Sequence, residues 1–258
     1  MIPLSEISSV AFIGSGKVAF VLSTIFLEKG IRISGISSRN ELTGKTLANQ
    51  VQSEFIVDFT LLTADLIVVS VNDDSVKTLV EQINPTQKVV FTAGAIDLKR
   101  INRPNCGVFY PLQTFTKGKN LRSNEIPILL ETNDLDFGKQ LESFCSKLGF
   151  SFQYCDSEQR KQYHLSAVFL NNFINHLVYV SKTELEEKGL NWKLLMPLLK
   201  ETFDKLLNSD LYEGQTGPAR RRDLSVIQEH QKMLSGKHLE IYNVITSSIL
   251  DTYKNDKL

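Results

Sequence analysis

A glycine-rich turn near the start of the chain has the residue types and spacing of a phosphate-binding site. Gly14, Gly16 and Ala19 follow the apolar run 10–13 and precede an amphipathic segment. In this context the first glycine permits a tight turn, the second lets the backbone approach a pyrophosphate, and the small third residue lets a helix lie close to a sheet. The helix dipole and free N–H groups attract the negative charge. We predict a dinucleotide site formed by Gly14, Ser15, Gly16, Lys17 and Val18, the alternative being a turn that only connects strand to helix.

The residues after the second predicted strand indicate which dinucleotide fits. An NAD site usually has an Asp or Glu about 20 residues beyond the turn, where the carboxylate binds the ribose hydroxyls. This chain has Ser37, Ser38 and Arg39 instead. Two hydroxyls and a guanidinium suit a 2′-phosphate, so the sequence predicts NADP(H). In the alternative, Arg39 is a solvated loop cation and Ser38 or Asn40 caps the following helix.

Further candidates follow the next strands. Val71 and Asn72 end an apolar run at the predicted carboxyl edge of the sheet, where the nicotinamide would pass. Asp73 and Asp74 come next, and we favour one of them as the cap of a helix beginning at residue 75. The small residues 92–95 after the following strand would permit close approach of a flat ring.

Alternating strands and helices must hold these residues at one edge. Strands are predicted at 9–13, 31–36, 65–71, 88–92, 108–110, 126–131 and 150–154, and helices at 18–29, 41–50, 75–83 and 135–148. This alternation predicts an α/β fold with a doubly wound, mostly parallel Rossmann sheet. After residue 156 the pattern becomes all helical, with helices predicted at 157–188, 192–208, 218–235 and 237–254. We therefore predict a Rossmann domain at 1–155 and an all-α domain at 156–258.

Composition narrows the class of protein. The 29 basic residues balance 29 acidic ones, so no strong field attracts nucleic acid or an anionic membrane. Three cysteines without ligand spacing argue against a disulfide framework and a metal site, and favour a reducing cytoplasm. The N-terminus lacks the features of a signal peptide. The uncharged stretch 162–181 contains five His and Asn residues, which favour a soluble helix over a membrane span.

That uncharged stretch also carries a polar stripe. At about 100° per residue, His164, Asn171 and Asn175 lie near one line, with Asn172 and His176 on the adjoining flank. Because apolar residues occupy most of the remaining surface, we expect the helix to be buried nearly all round. The polar groups would then make interhelical hydrogen bonds in a core or dimer interface, or face the nicotinamide across a cleft; both can hold.

A cluster of three arginines follows the predicted helix start at Pro218. A helix dipole disfavours cations in the first turn, so an anion should compensate Arg220, Arg221 and Arg222. Asp223 or an anionic ligand could do so, and a solvated basic face is the alternative. We take Arg221 as a candidate substrate-binding residue.

Several motifs together resemble one family. They are the turn 12–19, the segment 110–115 (Tyr-Pro-Leu-Gln-Thr-Phe), the helix from His164 to His176, and the segment 215–219 with Arg221, Asp223 and His230. The chain resembles, over nearly its whole length, the Rossmann-like proteins with a DUF2520 C-terminal domain, distant relatives of pyrroline-5-carboxylate reductase, F420-dependent NADP reductases and the 6-phosphogluconate dehydrogenase superfamily. The resemblance implies an NADP-binding domain, a helical dimerisation domain and an oxidoreductase. Tyr110 departs from the family, which typically has His there; this weakens any assignment of an essential imidazole to that position.

Hydride transfer needs a proton donor or acceptor beside the nicotinamide. Our leading hypothesis is an NADPH-dependent reductase of a small carbonyl or imine compound, with His164 or His176 as acid/base. Asn172 would orient the substrate, and Gln113 and Thr114 would line the cleft. A non-catalytic NADP(H)-binding sensor or scaffold is the alternative, because the same turn would serve it. A third possibility is an enzyme that reduces pyrroline-5-carboxylate itself. The expected assembly is a homodimer through the C-terminal helices.

Overall fold

A computed structural model describes residues 6–116, 118, 119 and 121–255. The chain divides into two compact units between Asn172 and Phe173. The predicted domain boundary at residue 155 marks the end of the strands, and it stays a prediction.

The first unit is organised around a single sheet. Its strands are β1 (Ser9–Ile13), β2 (Arg32–Ser37), β3 (Leu66–Val69), β4 (Val89–Phe91), β5 (Cys106–Pro111), β6 (Ile128–Thr132) and β7 (Phe152–Tyr154). Within the described residues the sheet order is β2-β1-β3-β4-β5-β6-β7. The first five strands are parallel, β6 is antiparallel to β5, and β7 is parallel to β6. The predicted Rossmann-type sheet is confirmed.

Five helices of the described chain pack in the first unit. They are α1 (Lys17–Glu28), α2 (Glu41–Gln50), α3 (Asp73–Gln82), α4 (Leu135–Leu148) and α5 (Ser157–Ala167). Alternate residues of β1 enter different apolar clusters: Phe12 packs with Phe26 and Phe109, and Ile13 with Val69. Because neighbouring strand residues point to opposite faces, the sheet has a core on each side. Helices cover both faces, as in doubly wound folds.

The helix α3 begins earlier than predicted. It starts at Asp73 rather than residue 75, and its N-cap residue is Asn72, whose side chain makes no capping hydrogen bond. Asp73 and Asp74 therefore lie inside the first turn, and the expectation that one of them caps the helix is wrong. Two carboxylates in the first turn stabilise it through the helix dipole instead of a cap.

The second unit is helical in its described part. Its helices are α6 (Ile174–Glu186), α7 (Met196–Asn208), α8 (Leu224–Met233) and α9 (Gly236–Thr252). The predicted start of a helix at Pro218 is wrong. Residues 218–222 form turns, Arg222 has a φ of +55°, and α8 begins after Asp223, whose carboxylate accepts a hydrogen bond from the Val226 N–H. The three arginines therefore precede the helix, so its dipole gives no reason to expect an anion that compensates them.

A π-helical turn interrupts the long predicted helix 157–188. Val168–Phe173 forms this turn between the end of α5 and the start of α6. A π turn bonds residue i to i+5 and holds more residues than an α turn, so the 100° spacing does not carry across it. The predicted alignment of His164 with Asn171 and Asn175 is therefore wrong.

Large apolar side chains of this region are exposed. Leu165, Phe169 and Leu170 have exposed fractions of 52%, 61% and 72%. The expectation of a helix buried nearly all round is wrong for the single chain. The spacing of apolar residues identifies an apolar helix face, but it does not tell which element or second chain covers that face. No helix in the described residues is both long enough and apolar enough to cross a membrane.

Candidate functional site

A groove follows the carboxyl ends of the parallel strands in the first unit. Its volume is about 1060 Å³. Residues after β1, β2, β3 and β4, the end of β5 and one side chain of α5 line it; they include Gly14–Val18, Ser37–Asn40, Ser70–Ser75, Thr92–Gly94, Tyr110 and His164. Strand order changes direction between β1 and β3, and open α/β sheets bind ligands at such a point.

The glycine turn begins with a residue that cannot carry a side chain. Gly14 has a φ of +115°, and a Cβ atom there would lie 2.0 Å from the carbonyl oxygen of Ser70. Its N–H donates to the Ser37 carbonyl oxygen at 2.7 Å. Gly14 thus joins the ends of three strands. A Cβ on Gly16, by contrast, would meet no atom within 4 Å, which leaves this backbone open for a ligand.

The start of α1 differs from the other helix starts in the described first unit. Its N-cap residue is Gly16, and no side chain makes a capping hydrogen bond to the first turn. That turn begins with Lys17 and contains no acidic residue. Side chains cap α2, α4 and α5, while α3 has acidic residues in its first turn. An uncapped helix start with a lysine beside it is suited to an anion. The residues present therefore fit the pyrophosphate of a dinucleotide.

Three hydroxyls meet beside this turn. The Ser15 Oγ lies 2.8 Å from the Ser38 Oγ and 2.6 Å from the Thr43 Oγ1. Arg39 is exposed next to them and makes no salt bridge among the described residues. Hydroxyl donors and a free guanidinium fit a 2′-phosphate. The Asn40 side chain accepts from the Thr43 N–H at 3.1 Å, so Asn40 caps α2 as the alternative interpretation proposed.

A tyrosine and a histidine meet at the other end of the groove. The Tyr110 hydroxyl lies 3.0 Å from the His164 Nδ1. Gly94 makes room for the pair, because a Cβ there would lie 2.8 Å from His164 Nδ1 and 3.0 Å from Tyr110 Cζ. Burial raises the pKa of the Tyr110 phenol above its ordinary value, the charge of Asp73 adds to the rise, and Arg160 opposes it. Tyr110 is therefore a neutral phenol at physiological pH.

A buried ion pair fixes the helix that carries His164. Arg160, one turn earlier on α5, is fully buried and pairs with Glu131 of β6. It also donates to the Ile96 carbonyl oxygen. Ser157 donates to both Glu131 carboxylate oxygens, at 3.0 and 2.8 Å, and accepts from the Leu98 N–H at 3.0 Å. These bonds hold α5 against the sheet, and so they position His164 at the groove.

Comparisons with known proteins agree with this geometry. A family model described as "Domain of unknown function (DUF2520)" matches residues 126–249, and one described as "NADP oxidoreductase coenzyme F420-dependent" matches residues 9–95. The crystal structure described as "putative NADP oxidoreductase BF3122 from Bacteroides fragilis" is 33% identical, with 95% of this chain and 98% of that chain covered and a TM-score of 0.86. The chain belongs to this family of NADP oxidoreductases. Its assignment as an NADP-dependent oxidoreductase with NADP(H) as cofactor is confirmed.

More distant structures share the fold. A reductive aminase from Aspergillus terreus, solved with NADPH4, cyclohexanone and allyl amine, is 11% identical with a TM-score of 0.68, covering 96% of this chain and 95% of that one. A 1-pyrroline-5-carboxylate reductase from Streptococcus pyogenes is 13% identical with a TM-score of 0.59, covering 96% and 98%. At such identities the likeness concerns the fold alone. No protein with a curated function matches the chain.

The structure places the predicted site residues of this oxidoreductase in several locations. The predicted cofactor residues line the groove: Gly14, Ser15, Gly16, Lys17, Val18, Ser37, Ser38, Arg39, Val71 and Asn72. His164 lines it too, whereas Asn172 does not. His176 belongs to the second unit, where the centroid of its ring lies 6.2 Å from the ring centroid of Tyr179.

The predicted substrate residues also lie outside the groove lining. The Gln113 side chain donates to the Glu125 carbonyl oxygen at 2.9 Å and accepts from the Thr114 N–H at 2.9 Å. Both residues are exposed in the loop after β5. Arg221 is exposed in the turns before α8 in the second unit. The roles predicted for these three residues stay predictions.

A second, smaller groove lies within the helical unit. Its volume is about 490 Å³, and mainly apolar residues of α6 and α9 line it. Two histidines face it: His230 Nδ1 lies 3.0 Å from the Tyr242 hydroxyl, and His238 Nδ1 lies 2.5 Å from Glu184 Oε1. Both histidines thus have partners within the unit.

Among the residues that sequence reasoning missed, Tyr110 and Thr43 line the first groove, and Arg160 positions His164. Tyr110 counted only as a departure from a family pattern, although its place before Pro111 at a strand end was a usable signal. Thr43 lies beyond the motif, and only the fold brings its hydroxyl to Ser15. Arg160 gave no signal, because nothing in the sequence pairs it with Glu131.

Proposed function

We propose that the protein is an NADPH-dependent reductase of a small carbonyl or imine compound. One observation carries the proposal: a single groove runs from the uncapped start of α1 to the hydrogen-bonded Tyr110–His164 pair. NADPH, when bound, supplies the hydride. The chain has to bind the cofactor in one orientation, hold the substrate beside it and supply a proton.

We assign a part of the cofactor to each group of residues that lines the groove. Gly14, Ser15, Gly16, Lys17 and Val18 would hold the pyrophosphate. Ser37, Ser38 and Arg39 would hold the 2′-phosphate, and Thr43 would support the Ser15 hydroxyl, which lies next to that of Ser38. Val71 and Asn72 would lie beside the nicotinamide. The support is their shared lining of one groove and the lack of a carboxylate after β2.

His164 is the favoured acid/base of the two histidine candidates. It lines the groove and has a hydroxyl partner at 3.0 Å. His176 remains the second candidate, and Asn172 is proposed to orient the substrate. Gln113, Thr114 and Arg221 are proposed substrate contacts on the sequence argument alone.

An imine is the more favoured substrate of the two classes. The reductive aminase structure contains a ketone and an amine, which condense to an imine, and pyrroline-5-carboxylate is itself a cyclic imine. These are properties of those proteins, and they guide the choice of compounds to assay here.

The working assembly is a homodimer through the C-terminal helices. In the described part of the second unit the buried residues are Ala219, Ile227, Thr246 and Tyr253. A helical unit with so few buried side chains gains little hydrophobic stabilisation alone, and an identical helical unit is an available covering surface. Sedimentation velocity should therefore give twice the chain mass. The cytoplasm is the proposed location, since Cys106, Cys145 and Cys155 are all free thiols.

Turnover in wild-type and histidine variants tests the proposed reaction. NADPH consumption would be followed with cyclic imines, ketones, and ketones mixed with amines. We expect His164→Ala to lower kcat about 100-fold with the NADPH Kd unchanged, since positioned acid/base groups contribute at least that much. His176→Ala is the matched comparison, and a larger loss in that variant would move the role to His176. If the wild-type protein binds NADPH and reduces nothing, the sensor or scaffold function replaces this proposal.

A further inference from the structure

We infer that Tyr110, and not His164, is the residue that touches the substrate and delivers the proton, with His164 resupplying it through their hydrogen bond. The inference rests on the proposed reductase function. It assigns a proton-transfer role to the phenol at a position where the family typically has a histidine.

The geometry provides a chain of two proton-carrying groups. Tyr110 Oη and His164 Nδ1 lie 3.0 Å apart, within hydrogen-bonding distance, and both side chains line the groove. The rings meet edge to face, with centroids 6.0 Å apart and an angle of 70°. A His164 Nδ1–H can therefore donate to the Tyr110 oxygen, which leaves the tyrosine hydrogen free to point elsewhere.

The surrounding residues hold the Tyr110 and His164 side chains in place. Gly94 packs against both rings, and a Cβ there would displace them. Arg160 anchors α5 one turn before His164 through Glu131 and the Ile96 carbonyl oxygen. Both contacts restrict movement of the imidazole away from the Tyr110 hydroxyl.

Burial of the phenol favours a donor over a base. It disfavours the phenolate and raises the pKa of Tyr110, while the charges of Asp73 on α3 and Arg160 on α5 act on that pKa with opposite signs. A phenol that stays protonated can give a proton to a developing alkoxide or amide anion. It could not serve as a base that removes one.

The proton transfer balances without another reactant. The carbon of the C=O or C=N bond receives an electron pair and a hydrogen from the cofactor. The oxygen or nitrogen takes the electron pair of the former double bond and gains a proton as the Tyr110 O–H bond breaks. The Tyr110 O–H bond re-forms as the His164 Nδ1–H bond breaks, while His164 Nε2 gains a proton from water, so that no imidazolate forms. Exchange with water restores the Nδ1–H, and the cycle consumes one proton from solvent.

A first test reads the pair without turnover. Nitrogen NMR of the ring nitrogens of His164 reports which nitrogen holds the proton and its hydrogen bond. Tyr110→Phe should change the Nδ1 shift of His164, whereas Tyr163→Phe should not. Tyr163 is a matched control, because it is an exposed tyrosine on the same helix and does not line the groove. An unchanged Nδ1 shift in Tyr110→Phe would overturn the relay.

A second test determines which of the two groups gives its proton directly to the substrate. Tyr110→Phe should lower kcat about 100-fold or more while the NADPH Kd stays within twofold, and added imidazole should not restore it. His164→Ala should be partly restored by imidazole, because the phenol that delivers the proton is still present. The wild-type rate in mixtures of H2O and D2O should curve as expected for two protons in flight, and the Tyr110→Phe rate should not.

The outcomes separate this inference from the proposed function. Wild-type turnover with an undiminished Tyr110→Phe rate would overturn the relay and leave the reductase intact, as would a linear dependence on the D2O fraction in the wild type. A wild-type protein that reduces no carbonyl or imine would overturn the reductase and the relay together. Three results together would support the relay: a kcat about 100-fold lower in Tyr110→Phe, rescue by imidazole in His164→Ala but not in Tyr110→Phe, and a changed Nδ1 shift of His164 in Tyr110→Phe.

Discussion

The two ends of the nucleotide groove are built in different ways. At the phosphate end, Gly14 and Gly16 are near neighbours in sequence, and the hydroxyls of Ser15, Ser38 and Thr43 line the groove beside them. At the other end, Tyr110 and His164 are 54 residues apart in sequence, and a buried ion pair anchors the helix that carries His164. The difference indicates that cofactor binding and proton supply are separable, since a local motif provides one and long-range packing the other.

Breaking the ion pair behind the Tyr110–His164 end should have the largest effect. Glu131→Gln leaves the Arg160 charge buried without a carboxylate, which costs about 3 kcal/mol of unfolding free energy. Urea unfolding measures the loss. Glu158→Gln is the control, since that carboxylate pairs with Lys161 at 80% exposure and should change stability by less than about 1 kcal/mol. Equal losses in the two variants would contradict the anchoring role of Glu131.

Breaking the phosphate end should have the next largest effect. Gly14→Ala places a Cβ against the Ser70 carbonyl oxygen at a φ of +115°, and we expect a loss of about 2 kcal/mol together with loss of NADPH binding. Gly30→Ala separates the two causes. It also has a positive φ, of +80°, but a Cβ there meets no atom within 4 Å. Thermal unfolding and calorimetry check both variants, and equal stability losses would show that the contact with Ser70 is unimportant.

A smaller change should sharpen the cofactor preference. Arg39→Ala removes the guanidinium beside the hydroxyl cluster, and NADPH affinity should fall about tenfold while NADH affinity stays the same. Titration calorimetry with both nucleotides measures this. Arg32→Ala is the control, because Arg32 is an exposed arginine at the opposite end of β2. A parallel loss of NADH affinity in Arg39→Ala would place Arg39 away from the 2′-phosphate.

The smallest expected effect concerns the third hydroxyl. Thr43→Val removes the hydroxyl that lies 2.6 Å from Ser15 Oγ, and NADPH affinity should fall about threefold, as for one neutral hydrogen bond. Thr46→Val on the same helix is the control, since its hydroxyl bonds only to the Leu42 carbonyl oxygen among the described residues. The same calorimetry applies, and an unchanged Kd in Thr43→Val would remove Thr43 from the site.

The sequence predicted the phosphate end well because its information is local. A strand, two glycines and a helix are consecutive, and the predicted bounds Ser9–Ile13 and Glu41–Gln50 agree with the structure. The lack of a carboxylate at the end of β2, which favours NADP(H), was also visible in the four consecutive residues 37–40. Errors there were small, such as the helix start at Asp73, where two acidic residues are equally compatible with cap and first-turn positions.

The sequence predicted the other end poorly because its information is spatial. Helical periodicity treated 157–188 as one uniform helix, and a π turn at Val168–Phe173 invalidated the calculated alignment. The bond between Tyr110 and His164 depends on how α5 packs on the sheet, which Arg160 and Glu131 decide. From the sequence, Tyr110 was only a departure from the histidine that is typical of the family. The structure shows that its hydroxyl lies 3.0 Å from His164 Nδ1.

Label transfer tests the central claim most directly. The protein would be incubated with NADPH carrying deuterium at C4 of the nicotinamide and with a cyclic imine, a ketone, or a ketone and an amine, and the products would be examined by mass spectrometry. The account predicts deuterium on the former C=N or C=O carbon of at least one product, and about 100-fold less label in the same time with Tyr110→Phe. Tight NADPH binding without label in any product would contradict it.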